Sequence, residues 1–473
     1  MSGPDRSWTI APALLWFTGF VVVALCLLDG GVGALADRFR APREPAPVAG
    51  PGPAFTPASL VVAEADAPDP PTNGVPGGGT TIVPGMIVAA ERSKILTLED
   101  RCLDGTANQC KRWAMDAFYR AIDESKRGTL GRALRVSWYG DSVIATDAVP
   151  ARFRSRLQGE LGDGGPGFVF IVPPHRFCGH EAITRTSGGS WNAHAISTSQ
   201  IADGLYGVGG STAETADGRA SIKLVAGTAS QVELYYLAQP RGGSATITAD
   251  GKQVAKADTR AQAKAPGFAA ATIDGGAAKF DITTSGKVRL FGIDLENPRG
   301  AVVDNFGVVS VNVKSFDANK PEHFQAELAH RAADLIMIMI GANEAEWLGP
   351  SDRDTKDYGE HYGKLLAEIR SARPEASCLV VSPTDQAETK DGKYVSRPVM
   401  PKLILAQRQA AVDAGCAFYS TYEWMGGQGS AAKWFRKGLV GTDFQHLSRK
   451  GAERLSDGLF GTLMAGYQKY AAH

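Results

Sequence analysis

The sequence lacks an excess of charge of either sign. Among its 473 residues, 50 are Lys or Arg and 50 are Asp or Glu, so the formal net charge is zero. A chain that coats nucleic acid usually carries a strong basic excess, and this balance gives no support for such a partner. Charged residues make up 21% and hydrophobic residues 44%, which argues against a disordered chain, a collagen or a protein with many membrane spans.

Long apolar runs are scarce, and the one exception lies near the amino terminus. Residues 8–28 carry no charge over 21 positions, a length that lets a helix cross the core of a bilayer. Small residues at 34–36 resemble a signal-peptide cleavage site, so a cleaved signal peptide is the alternative. We therefore expect residues 1–40 to form a transmembrane anchor or a signal segment.

Proline is concentrated in one stretch that follows this segment. Eleven of the 45 residues at 41–85 are proline, with Gly, Ala and Ser between them. Such a composition cannot bury a core and favours an extended tether. Residues 41–96 are therefore predicted to be a linker.

Cysteine is also scarce, with six residues, and no CxxC or Cys/His spacing predicts a metal site. Cys102 and Cys110 lie close together in a polar stretch. A small disulfide loop is predicted there, with two free buried thiols as the alternative. Cys378 and Cys416 both fall in apolar runs, and a bridge between neighbouring strands stays open.

The globular part shows two kinds of pattern. Apolar runs of strand length alternate with helical patterns on both sides of a central region, which predicts an α/β fold with a parallel sheet. The strands are expected at 133–139, 334–340, 378–382 and 416–420, and the helices at 106–126, 357–372 and 401–414. The central region has short alternating runs separated by Gly, Asp and Asn, which predicts an all-β sandwich or jelly roll. The predicted boundaries are 97–186 and 298–473 for the α/β domain and 187–297 for the insertion.

Four residues could form a reaction site. Ser142 follows the first strand and begins a helix, so it lies at the carboxyl edge of the sheet, where α/β folds bind ligands. Asn343 follows the strand at 334–340 and would reach the same edge as an amide donor. Asp443 and His446 lie three residues apart before the last helix, and a serine nucleophile needs such a base and orienting carboxylate.

The order of these motifs resembles that of the SGNH (GDSL-like) hydrolases: Gly-Asp-Ser ending at Ser142, Gly-Ala-Asn ending at Asn343, and Asp-x-x-His from Asp443 to His446. The resemblance implies a three-layer α/β fold with a central parallel sheet. It also implies that Ser142 is the nucleophile, His446 the general base and Asp443 its orienter. The N–H of Ser142 and the amide of Asn343 would bind the oxyanion, and no cofactor or metal would be needed.

The family's second oxyanion donor is a glycine N–H, and this sequence departs from that pattern. Ser310 aligns best with the glycine, and Gly307 is the competitor. A backbone N–H survives the change from Gly to Ser, so Ser310 is the predicted donor.

The inserted β domain resembles the architecture of bacterial peptidoglycan O-acetylesterases of this family. That resemblance implies an esterase acting on an O-acetylated glycan, either peptidoglycan or an exopolysaccharide. Trp347 and Trp424 lie on predicted loops at the catalytic edge and are candidates for the substrate pocket, with a role in packing as the alternative. The expected location is the bacterial inner membrane, with the catalytic domain in the periplasm, or secretion after signal cleavage.

Three other functions stay open. The same triad could transfer an acyl group to a glycan hydroxyl, beside a membrane partner that exports acyl groups. It could also serve a lipase or a thioesterase, because the fold does not set the substrate. A non-catalytic wall-binding protein is the third alternative, and the presence of all four site residues argues against it.

Overall fold

The computed structural model describes residues 98–106 and 109–472. The predicted anchor at 8–28 and the linker at 41–96 lie outside these residues. Within the described part, no helix is both long enough and apolar enough to cross a bilayer. The helices, numbered along the chain, are α1 Asp116–Arg127, α2 Ser142–Ala145, α3 Ala148–Leu161, α4 Pro321–Arg331, α5 Glu344–Trp347, α6 Asp352–Ala372, α7 Met400–Ala414, α8 Thr421–Trp424, α9 Ser430–Arg436 and α10 Arg449–Ala471. The strands are β1 Leu98–Glu99, β2 Cys102–Asp104, β3 Arg112–Trp113, β4 Leu134–Gly140, β5 Gly167–Val169, β6 Ile183–Gly188, β7 Asn192–Ala195, β8 Ser211–Thr215, β9 Arg219–Leu224, β10 Ala229–Ala238, β11 Ser244–Ala249, β12 Lys252–Asp258, β13 Ala265–Ala277, β14 Lys279–Ser285, β15 Val288–Glu296, β16 Ala301–Gly307, β17 Leu335–Met339, β18 Ser377–Val381, β19 Ala387–Lys390, β20 Lys393–Ser396 and β21 Ala417–Tyr419.

The α/β part is built on one six-stranded sheet with the order β1-β21-β18-β17-β4-β16. All neighbours pair in parallel except β1 and β21. Side chains of β17 alternate between two cores: Leu335 and Met337 pack with α1, α3 and α10, whereas Ile336 and Ile338 pack with α4, α6 and α7. A strand that is apolar on both faces needs a helical layer on each side, and the predicted α/β fold with a central parallel sheet is present.

The amino-terminal region departs from the predicted helix at 106–126. Strands β2 and β3 pair antiparallel across a Cys102–Cys110 disulfide, and α1 begins only at Asp116. The cross-link and the ladder hold this stretch extended, so its polar residues do not continue the helix. A second disulfide joins Cys378 and Cys416, the bridge that the sequence left open.

The insertion consists of two antiparallel sheets that share one apolar core. One sheet has the order β13-β10-β15-β8-β7 with β5 added against β15, and the other has the order β12-β11-β14-β9-β6. The predicted boundary at 187 is wrong for these sheets, because β5 precedes it, β6 crosses it, and both strands pair within the sheets. Both strands are short, and their pairing partners lie far along the chain, so local pattern did not indicate them.

A buried ionic cluster joins the insertion to the α/β part. Arg331 of α4 is fully buried and bonds Asp304 of β16 through two nitrogens, at 2.7 and 2.8 Å. The same guanidinium reaches Asp294 at 3.0 Å and Glu296 at 2.6 Å, both on β15 of the insertion. A guanidinium has five N–H donors, so one arginine can bridge three carboxylates at this junction.

Candidate active site

The end of strand β4 positions Ser142. Asp141 follows the strand with an extended backbone, and its carboxylate accepts the N–H of Val143 at 3.0 Å, which caps helix α2. Ser142 is the first residue of that helix and is 9% exposed. Asp141 is a helix cap, as Asp often is, but the cap also fixes the turn that presents the serine hydroxyl.

Three neighbouring strands end together beside this turn. Gly140 of β4 pairs with Gly307 of β16 on one side and with Met339 of β17 on the other. The residues that follow these strands therefore meet at one edge of the sheet. This is how residues near positions 142, 310 and 343 come into the same region.

Ser142, His446 and Asp443 form a continuous chain of hydrogen bonds. The Oγ of Ser142 lies 2.7 Å from Nε2 of His446, and Nδ1 of His446 lies 2.8 Å from Oδ2 of Asp443. The serine is buried, whereas the side chains of His446 and Asp443 are 46% and 50% exposed. The site therefore opens to solvent on the side of the histidine.

The Asp443 carboxylate is held in its charged form. Its partial burial would raise its pKa, but the N–H groups of Gln445 and His446, each at 3.0 Å, and the imidazole of His446 lower the pKa below its ordinary value. The same two N–H groups lock the carboxylate in the tight turn that also carries the histidine. An ionised carboxylate at Nδ1 leaves Nε2 facing the serine as a proton acceptor.

Asn343 lies at the start of helix α5, directly after the turn that follows β17. Its Nδ2 donates one hydrogen bond to the carbonyl of Val311 at 2.7 Å. A side-chain amide has two N–H groups, so the second remains available for a bound group. The Val311 contact fixes the amide against the loop that contains Ser310.

The backbone geometry favours Ser310 over Gly307 as the second oxyanion donor. Ser310 is exposed and has φ of 62°, the left-handed region that favours glycine, and its N–H has no acceptor among the described residues. The N–H of Gly307 is already donated to Oδ1 of Asn305 at 2.9 Å. Gly307 has a packing role, because a Cβ there would lie 2.2 Å from the amide nitrogen of Ala145.

Two buried carboxyl groups that the sequence analysis did not assign to the site stand behind these loops. Burial raises the pKa of Asp141 to about 6, while hydrogen bonds from the N–H groups of Val143 and Ala342 oppose the rise. Burial also raises the pKa of Glu344 to about 7, and its Oε1 accepts the N–H of Val313 at 2.7 Å. Asp141 thus connects the serine turn to the Asn343 turn, and Glu344 connects the Asn343 turn to the Ser310 loop. In the sequence, only their positions next to Ser142 and Asn343 could have indicated that Asp141 and Glu344 belong to the site.

The two tryptophans predicted for the pocket differ in their surroundings. Trp347 ends helix α5, one turn after Asn343, and is 56% exposed. Trp424 packs edge-on against Trp434 at 5.7 Å and covers Gly458 of α10. The ring of Trp424 therefore takes part in the packing between helices, and a place for it in the substrate pocket stays a prediction. Across 98–106 and 109–472, no group of three or more His, Cys, Asp or Glu residues could hold a metal ion.

Part of the chain is similar to known proteins. Residues 287–454 match the GDSL-like lipase/acylhydrolase family, a span that includes Asn343, Asp443 and His446 and begins after Ser142. No curated protein matches the chain. A solved peptidoglycan O-acetylesterase is 23% identical, and the match covers 74% of this chain and 96% of that chain with a TM-score of 0.65.

More distant solved structures include other esterases. A family two carbohydrate esterase from Clostridium thermocellum is 9% identical, with 59% of this chain and 100% of that chain covered and a TM-score of 0.26. An acetyl xylan esterase is 13% identical, with 34% and 78% covered and a TM-score of 0.26. The family match over residues 287–454 and the fold shared with the peptidoglycan O-acetylesterase confirm the resemblance to the GDSL-like lipase/acylhydrolases noted in the sequence.

Proposed function

We propose that the protein is a serine esterase that removes O-acetyl groups from an acidic cell-wall glycan of the peptidoglycan type. The observation that carries the proposal is the hydrogen-bonded chain from Ser142 through His446 to Asp443, with distances of 2.7 and 2.8 Å. A serine with a histidine base and a carboxylate orienter is the arrangement that activates a hydroxyl for attack on an ester.

The first half-reaction forms an acyl-enzyme. The Oγ of Ser142 attacks the ester carbonyl carbon while Nε2 of His446 takes the hydroxyl proton. The resulting oxyanion is bound by the N–H groups of Ser142 and Ser310 and by the amide of Asn343. The bond to the sugar oxygen then breaks, and that oxygen leaves with the proton from His446.

The second half-reaction returns the free enzyme. Water attacks the acetyl-serine carbonyl and gives its proton to His446. The second tetrahedral intermediate collapses, the bond to Oγ of Ser142 breaks, and acetate is released as the serine regains its proton. The ionised Asp443 stabilises the imidazolium in both halves.

The substrate is proposed on two grounds. The fold is shared with a peptidoglycan O-acetylesterase over 96% of that chain. The catalytic serine is also only 9% exposed, while His446 opens to solvent, so the site favours a small acyl group on a large, exposed alcohol.

We also propose that the domain works outside the cytoplasm, tethered by residues 8–28. The disulfides Cys102–Cys110 and Cys378–Cys416 support this, because such bonds persist in oxidising compartments. Cell fractionation with protease accessibility tests the location. N-terminal sequencing of the mature protein distinguishes a retained anchor from a cleaved signal peptide.

The direct test follows acetate release by the full-length protein from O-acetylated peptidoglycan, for wild type and Ser142→Ala. We expect release by the wild type and a loss of at least ~10³-fold in the variant. Transfer of acetyl groups to an added sugar, with little free acetate, would instead support the acyltransferase. Turnover of an aryl acetate without release from any glycan would contradict the proposed substrate class.

A further inference from the structure

A β-hairpin outside the central sheet and the insertion lies beside the candidate site. Strands β19 and β20 pair only with each other and are joined by Asp391 and Gly392. Both turn residues are left-handed, with φ of 50° and 71°. Asp-Gly in this conformation forms a tight two-residue hairpin turn, so the segment has one defined shape.

The base of the hairpin is fixed to the turn that carries Asn343. The buried Nε2 of Gln386 donates to the carbonyl of Ala342 at 2.9 Å, and the N–H of Arg397 donates to the carbonyl of Gln386 at 2.8 Å. On the other strand, the hydroxyl of Ser396 donates to Asp385 at 2.7 Å. The hairpin therefore starts from one of the loops that form the candidate site.

The turn end of the hairpin contacts the loop that carries Asp443 and His446. The ring of Tyr394 lies 4.7 Å from that of Phe444, centroid to centroid, and Phe444 directly follows Asp443 in the turn that carries His446. Tyr394 nevertheless remains 46% exposed. The hairpin thus extends from the turn that carries Asn343 to the turn that carries Asp443 and His446, and it forms a wall between these two turns.

The exposed surface of this wall carries an aromatic ring, two lysines and, at the turn between the lysines, the carboxylate of Asp391, which leaves these three charged residues with a net charge of +1. Lys390 and Lys393 flank the turn, are exposed, and have no ion pair with any other described residue. Tyr394 is one of three large aromatic side chains that the described part exposes, and Trp347, next to the same base, is another. Aromatic faces pack against the C–H faces of sugar rings, and ammonium groups bind carboxylates.

We propose that this hairpin recognises an acidic glycan, with Tyr394 against a sugar ring and Lys390 and Lys393 on carboxylates of the polymer. The inference rests on the proposed esterase function and deepens it, because it assigns recognition of the acidic glycan to one surface of the protein. Carboxylates of this kind are carried by the stem peptides of peptidoglycan and by lactyl groups whose peptide has been removed, whereas an acetylated xylan backbone offers none.

The test compares three substrates: O-acetylated peptidoglycan, an acetylated neutral xylooligosaccharide and 4-nitrophenyl acetate. For Lys390→Gln/Lys393→Gln we expect about a tenfold rise in KM on peptidoglycan alone, since each lost ion pair contributes up to about 1 kcal/mol. Lys111→Gln/Lys287→Gln removes the same charge outside the hairpin and is expected to match the wild type. Equal effects of the two double variants would overturn the recognition of acidic groups.

Tyr394 needs a separate comparison because its ring also contacts Phe444, in the turn that carries Asp443 and His446. Tyr394→Ala is expected to lower kcat/KM about tenfold more on the two glycans than on aryl acetate, while Tyr394→Phe retains wild-type rates on all three substrates. An equal loss on aryl acetate would mean that Tyr394 only supports the turn, and the inference would be wrong.

A binding measurement separates this inference from the esterase proposal. Full-length Ser142→Ala protein is sedimented with O-acetylated peptidoglycan, with and without the two lysine substitutions. Binding that depends on the lysines supports the hairpin even if the wild type released no acetate. Binding that is unchanged by the two substitutions contradicts glycan recognition by the hairpin even if the esterase is active.

Discussion

Two regions of the molecule hold the loop around Ser310, and they hold it from opposite ends. The insertion holds the residue before it, because the hydroxyl of Ser197 donates to the carbonyl of Val309 at 2.8 Å. The α/β part holds the residues after it, through Asn343 on Val311 and Glu344 on Val313, each at 2.7 Å. A serine in the left-handed region is thus fixed from both sides.

The two regions differ in what they contribute to the candidate site. Every group proposed to touch the reacting atoms follows a strand of the central sheet or precedes helix α10. The insertion contributes contacts behind them, such as the carbonyl of Val208, which accepts the hydroxyl of Tyr139 of β4 at 2.9 Å. We therefore expect changes in the α/β site to alter rates by orders of magnitude, and changes in the supporting contacts to have smaller effects.

The largest expected effect is that of Asp443→Asn. An amide can donate to Nδ1 and favour the wrong imidazole tautomer, so we expect kcat to fall about 10³- to 10⁴-fold with little change in KM. Steady-state kinetics on an aryl acetate measure it. Asp457→Asn, which alters a carboxylate paired with Arg152 on the helix surface, is the matched control and should keep its rate. A fall of less than tenfold for Asp443→Asn would show that the exposed carboxylate does not orient the base.

The next effect concerns Asn343→Ala. The change removes the proposed oxyanion donor and its contact with Val311, and loss of one such donor typically lowers kcat ~10²- to 10³-fold. Asn297→Ala removes an amide that bonds the Ser230 hydroxyl in the insertion, and it should leave kcat unchanged. If Asn343→Ala raised KM while kcat held, Asn343 would bind substrate rather than the transition state.

What the sequence could predict follows the same division between local and distant contacts. The strand at 335–339 is apolar throughout and Asn343 follows it after three residues, so both the element and its candidate site residue are evident from nearby residues. Ser142, Asp443 and His446 likewise lie in short motifs. Each of these residues is positioned by the strand or turn next to it.

Contacts between distant segments could not be predicted in this way. Strand β5 is three residues long and belongs to the insertion only because it pairs with β15, more than a hundred positions later. Ser197 lies in no motif, and its role depends on where a loop of the insertion meets Val309. Trp424 lies next to a predicted loop, but its ring packs against α10, whose position the local pattern does not specify.

The contact that the α/β part makes with the Ser310 loop through Glu344 can be tested by the pH dependence of stability. Its pKa is raised from 4.5 to about 7, so its full contribution to stability is present below pH 4.5 and is lost as the pH rises through 7. Glu344→Gln keeps an acceptor for Val313 and carries no charge, so its stability relative to wild type should improve by about 2–3 kcal/mol between pH 5 and pH 8. Urea unfolding at the two pH values measures this. The exposed Glu346→Gln is the control, and a pH-independent difference for Glu344→Gln would contradict a buried ionisation.

The smallest expected effect is that of Ser197→Ala, which removes the contact between the insertion and the Ser310 loop. Ser197→Ala removes one hydrogen bond worth about 1 kcal/mol, so the loop should spend less time in the geometry that presents the Ser310 N–H, and kcat should fall about fivefold. KM should hold, because Ser197 does not contact substrate, and Ser197→Thr should restore the rate because it keeps the hydroxyl. Ser230→Ala, which loses a hydroxyl contact with Asn297 elsewhere in the insertion, should have no such effect. An unchanged kcat in Ser197→Ala would mean that Asn343 and Glu344 suffice to hold the loop. A selective fall in kcat would mean that the insertion takes part in transition-state binding through the backbone at Val309.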